Sequence, residues 1–296
     1  MYPRLGHEKI VRELLRKGAD PNRRGGWYCY PLQSAIVAQS EAIVKLLLNS
    51  GAEVNATGGR HQHALIAAAD LGKFNIVSSV VSMILNFLLG NLKLVKLLIE
   101  RGAEVNDHNE KGADALHAAC CGGYLDVVEL LIENGADVNA RGGKCRNALN
   151  AASTHGHPTI VEKLLEAGAD LHFRDSNYGD ALQAAARRGH NEVIKVLHKA
   201  GAKLNNRGSA KHGTAIVCAA FNGHVETIRL LFELGLRKGS KRENNKALVT
   251  AVYQRHTEVI RTLVEFGANI NGAIQTRIHE DLCTPLQVAA LEGKTV

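Results

Sequence analysis

Histidine and cysteine are the residues of this 296-residue chain best suited to catalysis or metal binding, and it has 14 His and 6 Cys. Cys120 and Cys121 follow His117 by three and four residues, which on a helix would set a thiol beside an imidazole, as in a cysteine nucleophile. His155 and His157 could be two ligands of a metal ion. We expect neither site, because no further ligand has matching spacing near the histidine pair and an Ala-rich helix explains the cysteines by packing.

No catalytic or nucleotide-binding motif is complete in the sequence. The cysteines form no C-x-x-C pair, and neither G-x-S-x-G nor H-E-x-x-H occurs. Gly293-Lys294-Thr295 carries only the end of a phosphate-binding loop, because Val288 stands where its first glycine is needed. The sequence therefore predicts no catalytic residue, no metal and no cofactor, and a protein that is not an enzyme.

Composition narrows the class of partner and the compartment. The net charge is +7 with a pI of about 9.1, but no block of five or more basic residues occurs, so nucleic-acid binding is disfavoured. No signal peptide opens the chain, and the most apolar run, residues 76–89, is interrupted by Ser and Asn and is shorter than the ~20 residues that span a bilayer. We expect a protein without a membrane segment, with reduced thiols, in the cytoplasm, with the nucleus as the alternative.

One phrase recurs through the whole chain. It reads LLRKGADPN, LLNSGAEVN, LIERGAEVN, LIENGADVN, LLEAGADLH, LHKAGAKLN, LFELGLRKG and LVEFGANIN. Its first glycine lies at residues 18, 51, 102, 135, 168, 201, 235 and 267, so the spacings are 33, 51, 33, 33, 33, 34 and 32. A fixed period of this size indicates an array of structural repeats.

A second phrase precedes the first in most repeats and predicts another helix. It reads PLQSAI, ALHAAC, ALNAAS, ALQAAA and PLQVAA. Residues able to cap a helix stand directly before this phrase or its equivalent, at Asp114, Asn147, Asp180, Thr214 and Thr284. Pro31 and Pro285 suit the first helical turn, and Gly135 is expected to end the second helix with a positive φ. Val127, Val128, Leu130 and Leu131 predict the apolar face of that second helix.

These phrases resemble the ankyrin-repeat family, whose 33-residue unit reads T-P-L-H-x-A-A, then G-H, then L-L-x-x-G-A-x-x-N. The likeness is greatest to fungal arrays, in which G-N-A-L-Q-A-A often opens the repeat and Gly-Gly, as at residues 58–59 and 142–143 here, is common in the loop. The resemblance implies an all-α solenoid of stacked helix-turn-helix units with short hairpin loops. It also implies that His117 and the histidines of the G-H position hydrogen-bond neighbouring loops; the latter are His7, His157, His190 and His224.

We expect a single array whose units are divided at the end of each phrase. The expected bounds are 1–22 (partial), 23–55, 56–106 with an insert at 73–90, 107–139, 140–172, 173–205, 206–239, 240–271 and 272–296 (partial). A loop at 272–283 holds five extra residues. Such loop insertions are tolerated in compact folds.

The insert departs from the repeat in an informative way. Residues 71–77 (LGKFNIV) are echoed by 89–95 (LGNLKLV), and removing Lys73–Gly90 restores a normal repeat. We hypothesise that Lys73–Gly90 is a translated intron. The codons for Gly-Lys-Phe can contain the splice-donor sequence GTAAGT, and the codons for Leu-Gly can contain the acceptor TAG. The alternative is a real insert that lengthens the second helix. A mature transcript that keeps codons 73–90 would contradict the intron hypothesis.

In the ankyrin family, partners bind the tips of the hairpin loops and the exposed side of the first helix. The matching tip positions are Trp27, Arg60, Gln62, Lys111, Lys144, Arg146, Tyr178, Lys211, His212 and Arg242. The matching first-helix positions are His155, Arg187, Arg188, Phe221 and Tyr253. Eight of the fifteen are Lys or Arg and none is acidic, which favours an acidic partner segment with aromatic anchors. The alternative is an ordinary solvated charged face.

We therefore predict a monomeric protein–protein interaction scaffold. The alternative is a ligand-sensing or regulatory fragment of a larger signalling protein with a nucleotide-binding domain. The array is incomplete at both ends, and fungal arrays of this type often follow such a domain.

Overall fold

The computed structural model describes residues 5–70, 92–143, 145–174, 179–206, 213–236, 241–275 and 282–292. The chain divides into two compact units, Met1–Ala148 and Leu149–Val296. Both are built from pairs of helices, and the predicted all-α class of stacked helical repeats is confirmed. Within the described residues, no helix is long and apolar enough to cross a membrane.

The described residues of the first unit form one single helix followed by three helix pairs. The helices are α1 (Leu5–Arg16), α2 (Pro31–Val37), α3 (Glu41–Asn49), α4 (Ala64–Asp70), α5 (residues 92–100), α6 (Ala115–Gly122) and α7 (Leu125–Glu133). The first helices of the pairs stack on one another, α2 on α4 and α4 on α6, while α1 packs against α3. Each helix pair therefore completes its core against its neighbours, as expected of a repeat stack.

The second unit repeats this arrangement. Its helices are α8 (Ala148–His155), α9 (Pro158–Glu166), α10 (Ala181–Arg188), α11 (Asn191–Lys199), α12 (Ala215–Phe221), α13 (Val225–Glu233), α14 (Lys241–Tyr253), α15 (Thr257–Glu265) and α16 (Pro285–Glu292). First helices pack in the order α10, α12, α14, α16 and second helices in the order α9, α11, α13, α15. The long loop before α16 forms two short antiparallel strands, β1 (Ile274–Gln275) and β2 (Leu282–Cys283), with Ile274 opposite Cys283.

Alanine lets the first helices approach closely. In α10, Ala185 and Ala186 are fully buried, and Ala184 nearly so. The second helices bury only one face: in α7, Val127, Val128 and Leu131 are buried. Leu130, which the sequence placed on that face, is only half-buried.

Helix caps follow the sequence prediction at three sites and depart from it at one. The Asp114 carboxylate accepts the His117 backbone N–H at 2.7 Å, and Thr284 caps α16 in the same way. Asp180 accepts the Gln183 N–H at 2.9 Å. Thr214 makes no such cap, because its hydroxyl donates instead to Glu243 at 3.4 Å.

The prediction that Arg242 lies at a loop tip is wrong. Arg242 lies in the first turn of α14, which begins at Lys241. The 241–253 segment has no Gly or Pro to break a helix. The negative charge of Glu243 in the first turn stabilises the helix through its dipole. The insert at 73–90 lies outside the described residues.

Candidate partner-binding surface

Within the described residues, hairpin loops, which we call fingers, precede α2, α4, α6 and α8. Three of them are closed by backbone hydrogen bonds in which Gly25, Gly58 and Gly142 donate to the carbonyls of Cys29, Gln62 and Arg146, at 2.7, 2.8 and 2.9 Å. The closing residue has a positive φ in each case, 69° at Cys29, 65° at Gln62 and 72° at Arg146. The left-handed conformation reverses the chain at these residues, and Trp27 and Arg60 stand at the tips of the first two fingers.

Within the first unit, the predicted tip residues differ in their exposure. Trp27 is 77% exposed, and Arg60, Lys111 and Arg146 are exposed. Gln62 is half-buried, and its side-chain oxygen accepts the Glu110 N–H of the next finger at 2.7 Å. Gln62 therefore joins two fingers and is less available to a partner than the sequence suggested.

The late Asn of the repeat phrase ties successive repeats of the first unit together. Asn22 donates to the Gly51 carbonyl at 2.9 Å and accepts the Glu53 N–H at 2.8 Å. Asn55 and Asn106 make the same pair of bonds to the turns that follow them. These bonds align the turns that lead into the fingers.

The first helices of the second unit present a row of side chains at their last turns. Arg187 in α10, Phe221 in α12 and Tyr253 in α14 occupy the same repeat position. Phe221 is 52% exposed, while Arg187 is half-buried and Tyr253 packs against the small core at Val249. At the next position, His155 in α8 and Arg188 in α10 are exposed. Since α12 packs against both α10 and α14, Phe221 lies between two neighbouring members of the row.

Histidines of the following repeats hold the backbone of this row. The Nε2 atom of His190 bonds the Thr154 carbonyl at 3.1 Å, and that of His224 bonds the Arg187 carbonyl at 3.0 Å. The resemblance implied such bonds for both histidines. His256, which sequence reasoning missed, bonds the Phe221 carbonyl at 3.2 Å.

Two features of the sequence could have revealed His256. It follows His224 by 32 residues, close to the period. Arg255, at the glycine position before it, adopts the left-handed φ of 60° that Gly normally supplies. The G-H phrase is absent here, because Arg255 replaces its glycine, so the family pattern does not mark this histidine.

Burial and charge shape the electrostatics of this row. Burial lowers the pKa of His190, and the nearby positive charge of Arg188 lowers it further. The hydrogen bond to the Thr154 carbonyl raises this pKa and so partly offsets both effects. The Arg187 guanidinium lies beside Cys218 and partly opposes the burial that raises the pKa of that thiol. Arg187 is thus partly engaged within the protein, whereas Arg188 is free to reach outward from its exposed position.

The structure shows which of the cysteines and histidines could act as a nucleophile or as metal ligands. Cys120 is fully buried, which raises the pKa of its thiol well above the usual value, so it is poorly suited to a nucleophile. The His155 ring bonds the Ala151 carbonyl at 2.9 Å through Nδ1. Among the described residues, one group could hold a metal ion, formed by His117, Cys121 and Cys145. Sequence reasoning missed it because Cys145 is distant along the chain.

Four of the predicted partner-binding residues lie outside the described residues. They are Lys144, Tyr178, Lys211 and His212. Whether the full set of fifteen binds a partner stays a prediction.

Stacked helix pairs with projecting fingers define an ankyrin-repeat binding module. The family model "Ankyrin repeats (3 copies)" matches residues 3–86, 82–175 and 149–242, and the chain belongs to this family. The crystal structure of the human ASB11 ankyrin repeat domain is similar, with 26% identity, a TM-score of 0.62 and coverage of 76% of this chain and 90% of that one. No curated protein sequence matches the chain.

Proposed function

We propose that this protein is a protein–protein interaction scaffold, and that the row at the ends of the first helices in residues 149–296 binds an acidic polypeptide segment. Ankyrin repeats generally mediate protein–protein interaction. The observation that carries the finer proposal is the row itself. In α8, α10, α12 and α14, its two positions hold Thr154, Arg187, Phe221, Tyr253, His155, Arg188, Asn222 and Gln254, none of them acidic. The last first helix, α16, carries Leu291 and Glu292 at these positions, so the proposed basic row is confined to α8–α14.

The row has the chemistry of a polypeptide site. Phe221 is an aromatic side chain with 52% of its surface exposed between two neighbouring helices of the stack, a position suited to an anchor contact. Arg188 supplies exposed positive charge one helix away. The histidine bonds to the carbonyls of Thr154, Arg187 and Phe221 hold this surface in place before binding, which lowers the entropic cost of association.

Charge reversal tests the proposal. Bound proteins are first captured on the wild-type protein and identified, and affinities are then measured with the purified partner. The double variant R187E and R188E should weaken binding at least about tenfold, because two attractive charges become repulsive. Raising the salt concentration should weaken wild-type binding more than binding by this variant.

A matched control has the same charge change on the second helix of the same repeat. Lys195 and Lys199 are exposed in α11, so K195E with K199E should bind as the wild type does. Circular dichroism must show unchanged helix in both double variants. Equal binding by the wild type and the R187E R188E variant would refute the basic-row proposal.

A further inference from the structure

Two residues of α6 and a third from the next finger meet at one point of the unit formed by residues 1–148. A ring nitrogen of His117 and the sulfurs of Cys121 and Cys145 all lie within 4.8 Å of one another. We propose that these three residues, the thiol–imidazole site, bind Zn²⁺. Imidazole nitrogen and thiolate sulfur are ligands that zinc prefers.

Two of the ligands share a helix face. His117 and Cys121 are four residues apart in α6, which places their side chains one turn apart on the same side. His117 is 7% exposed and held at the start of the helix by the Asp114 cap, whereas Cys121 is half-buried. One metal ion can therefore be reached by both side chains.

The third ligand comes from the next finger. At the position of His117, other repeats carry Gln33 and Gln183, whose amides donate to carbonyls of the following loop, Gln62 at 3.1 Å and Asn206 at 2.9 Å. A side chain at this position thus normally reaches the neighbouring repeat. The His117 ring does so against the finger that carries Cys145.

Gly143 explains how that finger comes so close. Its φ is +66°, and a Cβ there would lie only 2.6 Å from Nε2 of His117, so the backbone rests directly on the ring. Gly143 also donates to the Lys111 carbonyl of the preceding finger at 2.7 Å. Cys145, two residues further on, is 8% exposed and is held inward over α6.

The distances suit a tetrahedral zinc site after a small contraction. Zn–S bonds of about 2.3 Å and Zn–N bonds of about 2.0 Å place ligand atoms about 3.5 to 3.8 Å apart. The present separations are at most 4.8 Å, so each needs to close by no more than about 1.3 Å, which side-chain rotation can supply. Three protein ligands leave a fourth position for water.

Binding is balanced in charge and involves no oxidation or reduction. Zn²⁺ replaces the proton of each thiol, so two protons leave as two thiolates form, while His117 binds as neutral imidazole. Affinity should therefore rise with pH, because protons compete with the metal for its ligands. The metal would crosslink α6 to the next finger.

The test uses the full chain, stripped of metal and kept under a reducing phosphine. Zn²⁺ is titrated against a chromogenic chelator, and one ion should bind per chain. C121S and C145S should each weaken zinc binding about 100-fold or more. Even the loss of a residue that only hydrogen-bonds a metal ligand lowers metal affinity about 10- to 100-fold. C29S is the matched control, because Cys29 lies in another finger, and it should bind zinc as the wild type does.

A second variant separates ligand loss from misfolding. H117Q places in α6 the residue that two other repeats use, so the fold should hold while zinc binding weakens. With Co²⁺, the wild type should show thiolate-to-metal charge transfer that both cysteine variants diminish. Wild-type zinc affinity in C121S, C145S or H117Q would overturn the proposal.

Alkylation of the wild type provides a test that needs no variant. Zn²⁺ should protect Cys121 and Cys145 from iodoacetamide at least tenfold relative to Cys29, as read by mass spectrometry of peptides. Equal alkylation with and without Zn²⁺ at these two thiols would also overturn the proposal.

Discussion

At the scale of single residues, a histidine of one repeat rests on a glycine of the one before. A Cβ at Gly156 would lie 2.5 Å from Nδ1 of His190, and one at Gly189 would lie 2.9 Å from Nδ1 of His224. Both glycines also have a positive φ, 78° and 75°. The glycine therefore provides the turn and the space that the histidine needs to reach its carbonyl.

A pair of glycine substitutions separates these two roles. Gly168 has a φ of 87°, but nothing lies within 4 Å of its missing Cβ. G168A should cost about 1 kcal/mol of unfolding free energy from backbone strain alone. G156A should cost more, because the added methyl group displaces the His190 ring. Urea unfolding measures both, and an equal loss would contradict the close-packing explanation.

The titration of His190 should make stability depend on pH. Its folded-state pKa lies below the ordinary value of 6.5, so the unfolded chain takes up the proton first as the pH falls. Its contribution to the unfolding free energy is therefore full above pH ~6.5 and declines as the pH falls from there toward the folded pKa. Arg188, His155 and His224 add to this effect through their positive charge.

His190→Gln gives the comparison for that expectation. The glutamine amide can still donate toward the Thr154 carbonyl but does not titrate. When the pH is lowered from 7.5 to 5.5, the urea concentration at the unfolding midpoint should fall more for the wild type than for H190Q. An identical loss in the two proteins would show that His190 does not contribute.

At the scale of elements, the first helices depend on their caps because their N-terminal turns are buried. Asp114 is 8% exposed, and burial raises the pKa of its carboxyl group even though it accepts the His117 N–H. Asn147 stands at the equivalent position of the following repeat. The uncharged hydroxyl of Thr284 caps α16, so an uncharged acceptor is compatible with the same architecture.

Substitutions at Asp114 should distinguish the cap from its charge. D114A should lower the unfolding free energy by about 1 kcal/mol, because an N–H at the helix start loses its acceptor. D114N should lower it much less, since the amide oxygen still accepts and no charge is buried. Thermal and urea unfolding in the absence of metal would measure the difference. A loss in D114N as large as in D114A would mean that the negative charge itself is needed.

At the scale of the whole molecule, stability should be local because each helix pair contacts chiefly the next. Ile228 in α13 is fully buried, and α13 packs with α12, α11 and α15. The stack of residues 149–296 therefore passes a perturbation through neighbouring pairs in turn. A core change should thus affect some repeats before others.

Hydrogen exchange can follow this spread. I228A should cost about 2 to 5 kcal/mol locally, by creating a cavity in the core. Amide exchange should rise most in α12 and α13, then in α10–α11 and α14–α15. Control variant I260V changes a half-buried position of α15 and should leave exchange near the wild-type level. A uniform rise over all described helices would indicate global rather than nearest-neighbour cooperativity.

The sequence by itself determined the repeat, the helix pairs and most of their ends. Period, apolar spacing, the Asp114 and Asp180 caps and the left-handed Gly135 depend on residues close together in the chain, so local chemistry suffices to predict them. The exposure of Trp27, Arg188 and Phe221 also followed from position in the repeat.

Only the tertiary structure decided which side chains of different repeats meet. The half-burial of Arg187 depends on how α12, which carries Cys218, stacks on α10. The link from Gln62 to Glu110 and the joining of Cys145 to His117 and Cys121 depend on how each finger folds onto the preceding repeat. That geometry is set by left-handed residues such as Gly143 and Arg146 and by backbone contacts between repeats. The period tells which residues are equivalent in successive repeats, but it does not determine the distances between side-chain atoms of different repeats.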